Sequence, residues 1–402
     1  MMAARERYIR YYLQLSQKNS ENWQAVEPEY DQIQRAWDML IQSESKPKNE
    51  QTILEFVYAL IEFKYRRGLW REGLKWYEHA LEAARNLGRA EEEGQLLHNM
   101  GRSHHDLGEW TEALKYYEQA LSARRTAHDS IGEATTIDNI GIVYYDLGDL
   151  TKALEYCEEA YELWCTLDHP KGRAITLKNI GRIRRDLGEP KNALKFFEKA
   201  LNLQQEENDK AGKAATLNEM GRTKRILGKP RDAIKHYQQA LSLWRSLGDR
   251  AAEAEVLNNI GVACADLGET KLELSHYEQA LAIWRLVGHR SGEGTTLNNI
   301  GLVYSEVGEP ERALVYYEQS LSIHRSTGNQ IMEATTLSNI GLAYYNMGNP
   351  YKALKRYDDA IEMRRVVGDK LGEALTLYNI GLVYYGLEMK WTPEIGQFLG
   401  DF

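Results

Sequence analysis

A glycine recurs every 40 residues along this chain, in each case closing an Asn-Ile-Gly triplet or a close variant of it. A second series of glycines stands seven residues after the positions of the first. The first series comprises Gly101, Gly141, Gly181, Gly221, Gly261, Gly301, Gly341 and Gly381, and the second Gly68, Gly108, Gly148, Gly188, Gly228, Gly268, Gly308 and Gly348. A fixed period of roughly 20 to 50 residues indicates stacked supersecondary units, so this period decides the architecture before any local pattern does.

Within one period, the stretch from Leu297 to Tyr317 reads L-x2-I-G-x2-Y and then A-x3-Y. This resembles the tetratricopeptide repeat (TPR) pattern, with leucine where the consensus has tryptophan. The period of 40 is longer than the usual one of about 34, and no proline closes the repeat. HEAT and armadillo repeats share the longer period but lack this order of Gly, Tyr, Ala and Tyr. The resemblance implies an all-α fold, a right-handed α-α superhelix (TPR solenoid) of about eight helix-turn-helix repeats.

The period divides the chain into three parts. Residues 1–50 lie outside it, and their apolar residues recur at helical spacing, which predicts N-terminal capping helices. Residues 51–387 are expected to form the TPR superhelix, and residues 388–402 a C-terminal tail or a truncated repeat. The polar stretch 43–50 contains Pro47 and is expected to be a loop. The amino-acid sequence of the N-terminal segment resembles the region that precedes the TPR sensor domain of bacterial STAND (NB-ARC-type) regulators.

Two tight turns are predicted in every repeat. The second glycine series should take the left-handed conformation at the end of the first helix, helix A. Four prolines, Pro190, Pro230, Pro310 and Pro350, should then open the second helix, helix B, where a missing N–H has no cost. The second turn should lie at Gly88, His128, Asp168, Asn208, Gly248, Gly288, Gly328 and Gly368, and Asp129, Asp209, Asp249, Asn329 and Asp369 should cap the helices that follow.

Composition narrows the class of partner. A net charge of −9 and a pI near 5.7 argue against a chain built for general binding to nucleic acids or anionic membranes. No apolar run approaches the roughly 18 residues needed to span a bilayer. The three cysteines form no C-x-x-C pair, so we expect buried, reduced thiols and a cytoplasmic location.

No motif for catalysis or for a cofactor occurs: there is no phosphate loop, no G-x-G-x-x-G, no H-E-x-x-H and no G-x-S-x-G. His98 and His105 share a helix face near His104, but without a further ligand column they are expected to be polar surface histidines rather than a metal site. Carboxylate pairs on helix B are expected to be solvated. The sequence therefore predicts a non-enzymatic protein without cofactor or metal.

Binding should use the helix-A columns that packing leaves free, because helix A lines the concave surface in TPR superhelices. In the stretch above, these are the positions of Asn298, Asn299, Leu302, Ser305 and Glu306. One of these columns holds the asparagine ladder, interrupted by Glu219: Asn99, Asn139, Asn179, Asn259, Asn299, Asn339 and Asn379. A carboxamide can pair with both groups of a peptide unit, so the ladder could hold an extended backbone. The alternative is that these side chains bridge neighbouring repeats.

Neighbouring columns vary along the chain. Basic residues occupy two consecutive repeats, as Lys178, Arg182, Arg185, Arg222 and Arg225. The same columns become apolar further on, at Val262, Leu302, Leu342 and Leu382, with Tyr345 and Tyr385. We expect a ligand with an acidic segment followed by apolar residues. The alternative is that Asp146, Asp186 and Glu219 neutralise the arginines.

The resulting prediction is a protein- or peptide-binding TPR solenoid that serves as the ligand-sensing domain of a STAND-type ATPase regulator. One alternative is a stand-alone adaptor similar to kinesin light chain. Another is nucleic-acid binding through the basic residues.

Overall fold

The computed structural model describes residues 2–20, 22–42 and 46–387. These residues contain helices and turns but no β-strand, so the predicted all-α, TPR-like solenoid class is confirmed. The chain divides into two compact units, an N-terminal unit of residues 1–209 and a C-terminal unit of residues 210–402. The predicted domain boundaries at residues 50 and 387 stay predictions, and the predicted segment 388–402 lies outside the described residues.

In the N-terminal unit, consecutive helices pack in pairs after a short leading segment. The leading helices are α1 (Met2–Lys18), α2 (Trp23–Val26) and α3 (Tyr30–Ile41), with a 3-10 turn at Glu27–Glu29. The pairs are α4 (Lys46–Arg66) with α5 (Trp70–Asn86), α6 (Ala90–Asp106) with α7 (Trp110–Thr126), α8 (Ser130–Asp146) with α9 (Leu150–Thr166), and α10 (Pro170–Asp186) with α11 (Pro190–Glu206). Because α4 begins at Lys46, the predicted loop 43–50 is wrong over its second half.

The C-terminal unit repeats the same arrangement and ends on a single described helix A. Its pairs are α12 (Lys210–Ile226) with α13 (Pro230–Leu247), α14 (Arg250–Ala265) with α15 (Thr270–Val287), α16 (Arg290–Glu306) with α17 (Pro310–Thr327), and α18 (Gln330–Asn346) with α19 (Pro350–Val367), followed by α20 (Lys370–Gly386). From α4 onward, even-numbered helices are helices A and odd-numbered ones helices B.

The predicted turn chemistry is confirmed at both junctions. The glycines between helix A and helix B have φ values from +66° to +84°. The second turn also lies in the left-handed region where the residue is not glycine, with φ of 57° at His128, 48° at Asp168 and 52° at Asn208. The four prolines open α11, α13, α17 and α19 as expected.

Side-chain caps close the start of several helices A. Asp129, Asp249, Asn329 and Asp369 each accept a hydrogen bond from the backbone N–H three residues later, as predicted. For Asp209 the cap stays a prediction. His169 and His289 occupy the same position in α10 and α16 and accept the bond through Nδ1, which the sequence did not suggest.

In most pairs, the glycine of helix A faces an aromatic ring of helix B; in the α8–α9 pair, Gly141 faces the Sγ atom of Cys157 instead. At Gly221, Gly261 and Gly301 an added Cβ would lie 2.4–2.5 Å from a ring carbon of the buried tyrosine sixteen residues later. Close approach of the two helices therefore requires glycine, which is the physical reason for the first glycine series. Helix B supplies a second small residue, such as Ala313 four residues before Tyr317, and both are buried.

The leading helices complete the core of the first pair. Trp37 of α3 stacks on Trp76 of α5 with ring centroids 4.0 Å apart. Leu13 of α1 and Leu40 of α3 are buried in the same apolar cluster as Phe56 of α4. The helices predicted upstream of the repeats therefore cover the first pair.

An ion pair spans the second turn in most repeats, and the sequence analysis missed it. An arginine near the end of helix B pairs with a glutamate eight residues later, near the start of the next helix A. The pairs are Arg85–Glu93, Arg125–Glu133, Arg245–Glu253, Arg285–Glu293, Arg325–Glu333 and Arg365–Glu373. Comparing these two columns across the period would have found this ion pair.

In the α9–α10 repeat the two positions hold Cys165 and Arg173, and Cys165 is exposed. The expectation of buried thiols is thus wrong for Cys165, whereas Cys157 and Cys264 are buried.

Glu273 in α15 stands in a column that holds a buried alanine in every other helix B from α7 to α19. Glu273 is only 5% exposed, and no other described group forms a hydrogen bond or ion pair with its carboxylate. Burial raises the pKa of Glu273 to about 7, and the nearby carboxylates of Glu306 and Asp266 add to the effect. A carboxyl group here favours the protonated form.

We expect Glu273→Gln to stabilise the chain above pH 7 and to have little effect near pH 4.5. The folded chain keeps the Glu273 proton up to about pH 7, whereas an unfolded glutamate loses it near its ordinary pKa of about 4.3. The wild-type free energy of unfolding should therefore fall, relative to the variant, between those two pH values and then stay constant. Urea denaturation at several pH values measures the difference. Glu278→Gln, at an exposed position of the same helix, is the control; a pH-independent difference would contradict the assignment to Glu273.

Candidate functional site

The asparagine ladder connects neighbouring repeats in both units. The side-chain amide Nδ2 of five of its members lies within hydrogen-bond distance of the side chain 41 residues earlier. The contacts are Asn139 to His98 (3.2 Å), Asn179 to Asp138 (2.9 Å), Asn259 to Asn218 (3.0 Å), Asn299 to Asn258 (3.1 Å) and Asn339 to Asn298 (3.0 Å). The bridging alternative considered for the ladder is thus observed. Asn99 and Asn379 are half-buried, and neither makes such a contact with a described residue.

Bridging uses only part of each amide. In Asn259, Asn299 and Asn339 one N–H donates to the preceding repeat, and these residues remain half-buried rather than buried. Their Oδ1 atoms accept no hydrogen bond from any described group, and the second N–H is equally unused. Each amide therefore keeps one donor and one acceptor for a further partner. Asn179, by contrast, is buried.

The acceptors of these bridges lie deeper than the sequence predicted. Asn298 was expected to face the groove, but it is 3% exposed. His98 was expected at the surface, yet it is buried, with Nδ1 3.1 Å from the hydroxyl of Thr136. Burial lowers the pKa of His98 to about 3, so its ring is neutral at pH 7. This column lies between adjacent helices A, which explains why its side chains pair with the next repeat.

In the N-terminal unit, the basic residues are only partly available. Arg185 was predicted to face the groove, but it is 4% exposed and its guanidinium pairs with Asp186 at 2.7 Å. The guanidinium of Arg182 lies 4.7 Å from the ring centroid of Tyr145, and no described carboxylate is within ion-pair distance of it. Lys178 is half-buried. Of the two arginines, Arg182 is therefore the one whose guanidinium has no described ion-pair partner, and its side chain is half-buried.

In the C-terminal unit, Arg225 pairs at 2.6 Å with Asp266, the residue that follows the end of α14. Arg222 is exposed and reaches Glu219 only at 3.5 Å, within its own helix. An exposed pair at that distance contributes little, on the order of 0–1 kcal/mol. Neutralisation of the arginines, the alternative considered from the sequence, is thus observed for Arg185 with Asp186, and Arg225 is also paired. Of the acidic residues proposed to neutralise the arginines, Asp146 pairs with His105 instead, at 2.7 Å.

An apolar row runs along helices A of the C-terminal unit, as predicted. We use this name for Val262, Leu302 and Leu342, which lie on α14, α16 and α18 and are half-buried or exposed. Leu342 is 37% exposed, whereas its neighbour Ala343 is fully buried. Each member follows a ladder asparagine by three residues and so lies on the same face of its helix. Leu382 and Tyr385 on α20 are also exposed, and Tyr345 is half-buried.

The arrangement has the chemistry of a recognition surface. One amide, with a free donor and a free acceptor, and one apolar side chain recur on each of α14, α16 and α18. In the described residues, no group of three His, Cys, Asp or Glu side chains could hold a metal ion. None of the described helices has the length and apolar character needed to cross a bilayer.

The structure was compared with solved structures of other proteins. It resembles a Signal Transduction ATPase with Numerous Domains (STAND) that carries a tetratricopeptide repeat sensor, PH0952 from Pyrococcus horikoshii, with a TM-score of 0.62 and 16% identity over 91% of this chain and 53% of that chain. The apo form of the quorum sensor NprR from B. thuringiensis gives a TM-score of 0.59 with 15% sequence identity, over 86% of this chain and 97% of that chain. Aspartyl phosphate phosphatase F from Bacillus subtilis gives a TM-score of 0.56 with 16% sequence identity, over 89% of this chain and 94% of that chain. At these identities the similarity shows a common fold.

Sequence comparison gives the family. No curated protein matches the chain as a relative. The tetratricopeptide repeat model, in contrast, matches residues 54–126, 132–206, 212–285, 274–326 and 332–391, which is most of the chain. These segments contain the asparagine ladder and the apolar row. The chain is therefore a member of the tetratricopeptide repeat family.

Proposed function

We propose that the chain binds an extended segment of another protein along its helices A and acts as the ligand-sensing part of a STAND-type regulator. The observation that carries the binding proposal is the pair of free hydrogen-bonding groups on Asn259, Asn299 and Asn339, one set per repeat beside the apolar row. Such amides can pair with a peptide unit whatever its side chain. The apolar row supplies the contact that favours burial of ligand side chains.

The STAND assignment is supported by the fold shared with a TPR sensor over nearly the whole of this chain. NprR, named as a quorum sensor, has the same fold. The phosphatase among the similar structures shows that this fold can also belong to an enzyme. For this chain we propose binding without catalysis, because the exposed helix-A groups described above are amides, aliphatic side chains and arginines rather than a nucleophile with its base.

The proposed ligand carries acidic residues at one end. Arg222 stands on α12 in the same column as the apolar row, and its guanidinium is exposed. Arg182 occupies this column in the N-terminal unit. Arginine binds carboxylates through paired, charge-assisted hydrogen bonds, which favours an acidic partner over nucleic acid for a chain of net charge −9. A cytoplasmic location is part of the proposal, since all three cysteines are free.

We expect Asn339→Ala to weaken peptide binding by roughly 5- to 10-fold, the equivalent of one hydrogen bond of about 1 kcal/mol. The probes are peptides selected on the whole protein from a phage-displayed library of random dodecapeptides. Fluorescence anisotropy measures their affinity for each variant.

Asn298→Ala is the matched control, because it removes the same 3.0 Å bridge from its buried side and leaves Asn339 at the surface. Both variants should lose a similar amount of stability, about 0.5–1.5 kcal/mol. If the two weaken binding equally, or Asn339→Ala binds like the wild type, then the ladder is structural and does not hold the ligand.

A further inference from the structure

Two carboxylates of the C-terminal unit, one at the start of α15 and one at the end of α16, have no partner among the described residues. Glu273 is buried and Glu306 is exposed, and neither forms a hydrogen bond or an ion pair with a described group. We infer that the ligand of this unit inserts a basic side chain, arginine or lysine, between Glu273 and Glu306. The inference rests on the proposed function and names a further feature of the same ligand.

The first observation is a pairing between repeats that is broken at Glu306. At three earlier junctions, the acidic residue at or just after the end of helix A pairs with the side chain 41 residues before it. The pairs are His105–Asp146 at 2.7 Å, Tyr145–Asp186, and Arg225–Asp266 at 2.6 Å. The residue 41 positions before Glu306 is Ala265, whose side chain has no donor. Glu306 therefore lacks the partner that these three equivalents have.

Ala265 also leaves space at this junction. Its column otherwise holds long or aromatic side chains, with Ser305 as a second small residue: Tyr65, His105, Tyr145, Arg185, Arg225, Tyr345 and Tyr385. Ala265 is half-buried, so neighbouring side chains do not close over it completely. A basic side chain of a ligand can therefore take the place that Arg225 fills one repeat earlier.

Glu273 supplies a second and independent observation. Its carboxylate is buried near those of Glu306 and Asp266, although a buried carboxylate is normally hydrogen-bonded or paired with a cation. Asp266 already has Arg225 as its partner, so the groups left without a cation are Glu273 and Glu306. One guanidinium can donate to two carboxylates at once, and such charge-assisted hydrogen bonds are stronger than neutral ones.

The two carboxylates continue the apolar row. Glu306 follows Leu302 by four residues on α16, so it lies on the same face of the helix. A ligand that lies along the row would meet this carboxylate directly beside its apolar contact. A metal ion is the poorer occupant, because no group of three His, Cys, Asp or Glu side chains suited to one occurs in the described part of the chain.

Binding of the basic residue should be coupled to the proton of Glu273. The pKa of Glu273 is raised to about 7 in the free chain, and a cation beside the carboxylate favours its ionised form. The affinity should therefore rise by about 10-fold between pH 6 and pH 8, and Glu273→Gln should abolish this dependence. The groups around Glu273 are Cys264, Asp266, Tyr277 and Glu306; burial raises the pKa of Cys264 to about 11 and that of Tyr277 still further, so neither titrates in this range. An affinity that does not change with pH would contradict the inference.

A peptide with one altered charge tests the inference directly. The probe is a dodecapeptide without histidine, selected on the whole protein from the phage-displayed library. Each arginine of the probe is replaced in turn by citrulline, which keeps the shape of the side chain and removes its charge, and each lysine by norleucine. Fluorescence anisotropy measures the affinity of every peptide for the wild type and for Ala265→Arg, which supplies the cation from the chain itself as Arg225 does.

We expect one basic residue of the probe whose replacement weakens binding to the wild type by at least about 10-fold, the effect of losing a charge-assisted hydrogen bond. The same replacement should change the affinity for Ala265→Arg by less than about twofold, because the site is already occupied there. Glu273→Gln combined with Glu306→Gln should likewise be insensitive, whereas Glu278→Gln, at an exposed position of α15, should behave as the wild type.

Two results would overturn the inference and leave the proposed function in place. One is a selected peptide in which no basic residue affects the affinity. The other is a full effect of the replacement in both Ala265→Arg and the folded double variant. Failure of the library to yield any binding peptide would contradict the proposed function as well.

Discussion

Gly301→Ala is expected to destabilise the chain by about 1–3 kcal/mol, although alanine normally favours a helix over glycine. The new Cβ would stand 2.5 Å from Cε1 of Tyr317, whose ring is buried between α16 and α17. Neither helix can withdraw without opening the pair, because the turn at Gly308 joins them with only a few residues. Urea denaturation followed by circular dichroism measures the change in the free energy of unfolding.

Gly73 in α5 provides a control glycine within a helix. A Cβ added there would lie 3.6 Å from the nearest atom, a ring carbon of Tyr77, which is an ordinary van der Waals contact. Gly73→Ala should therefore gain about 0.5–1 kcal/mol from the better helix former. If Gly301→Ala proved as stable as the wild type, or Gly73→Ala lost as much stability as Gly301→Ala, the proposed reason for the glycine series would be wrong.

Backbone features were predictable from the sequence because each has a local cause. A glycine, asparagine or aspartate recurs at the turns since few residues tolerate a left-handed conformation, and the structure confirms this even at His128. Pro190 and its equivalents open helix B because the first helical residue needs no N–H donor. These rules act within a few residues, so a single sequence is sufficient to apply them.

Side-chain partners were harder to predict, because they depend on which neighbour lies 41 residues away in the next repeat. Arg225 shows this dependence, because its carboxylate partner Asp266 lies 41 residues further along the chain. His98 shows the same limit, since a column of polar residues can point into the space between two helices as well as toward solvent. Periodicity identifies the constrained column but does not reveal the contact that constrains it.

Function was harder to predict than side-chain partners, and the asparagine ladder shows why. The sequence offered bridging and ligand binding as alternatives for Asn299, and the structure shows that one amide has enough hydrogen-bonding groups for both. Glu273 gave no signal by itself; only comparison with the alanines in its column marks it as unusual. Its altered pKa depends on the burial and neighbouring carboxylates that the fold creates.

The largest effect on binding is expected from charges placed in the apolar row. Leu302→Asp combined with Leu342→Asp should reduce the affinity for a library-selected peptide by about 100-fold or more. Leu342 is 37% exposed and Leu302 is half-buried, so the area that a ligand covers on each contributes less than the roughly 1.5–3 kcal/mol of a full burial. Most of the expected loss comes from the cost of desolvating the two new carboxylates against the ligand, and about 1.4 kcal/mol corresponds to a factor of ten. Leu272→Asp combined with Val315→Asp is the matched control, since both residues are exposed apolar side chains on helices B.

The most direct test of the binding surface is therefore the affinity of one selected peptide for these two double variants, measured by fluorescence anisotropy after circular dichroism has shown both to be folded. We expect the helix-A variant to lose nearly all affinity and the helix-B variant to bind within about twofold of the wild type, a difference of under about 0.5 kcal/mol. Undiminished binding by the folded helix-A variant, or an equal loss in the helix-B variant, would contradict the claim that the ligand lies along the apolar row.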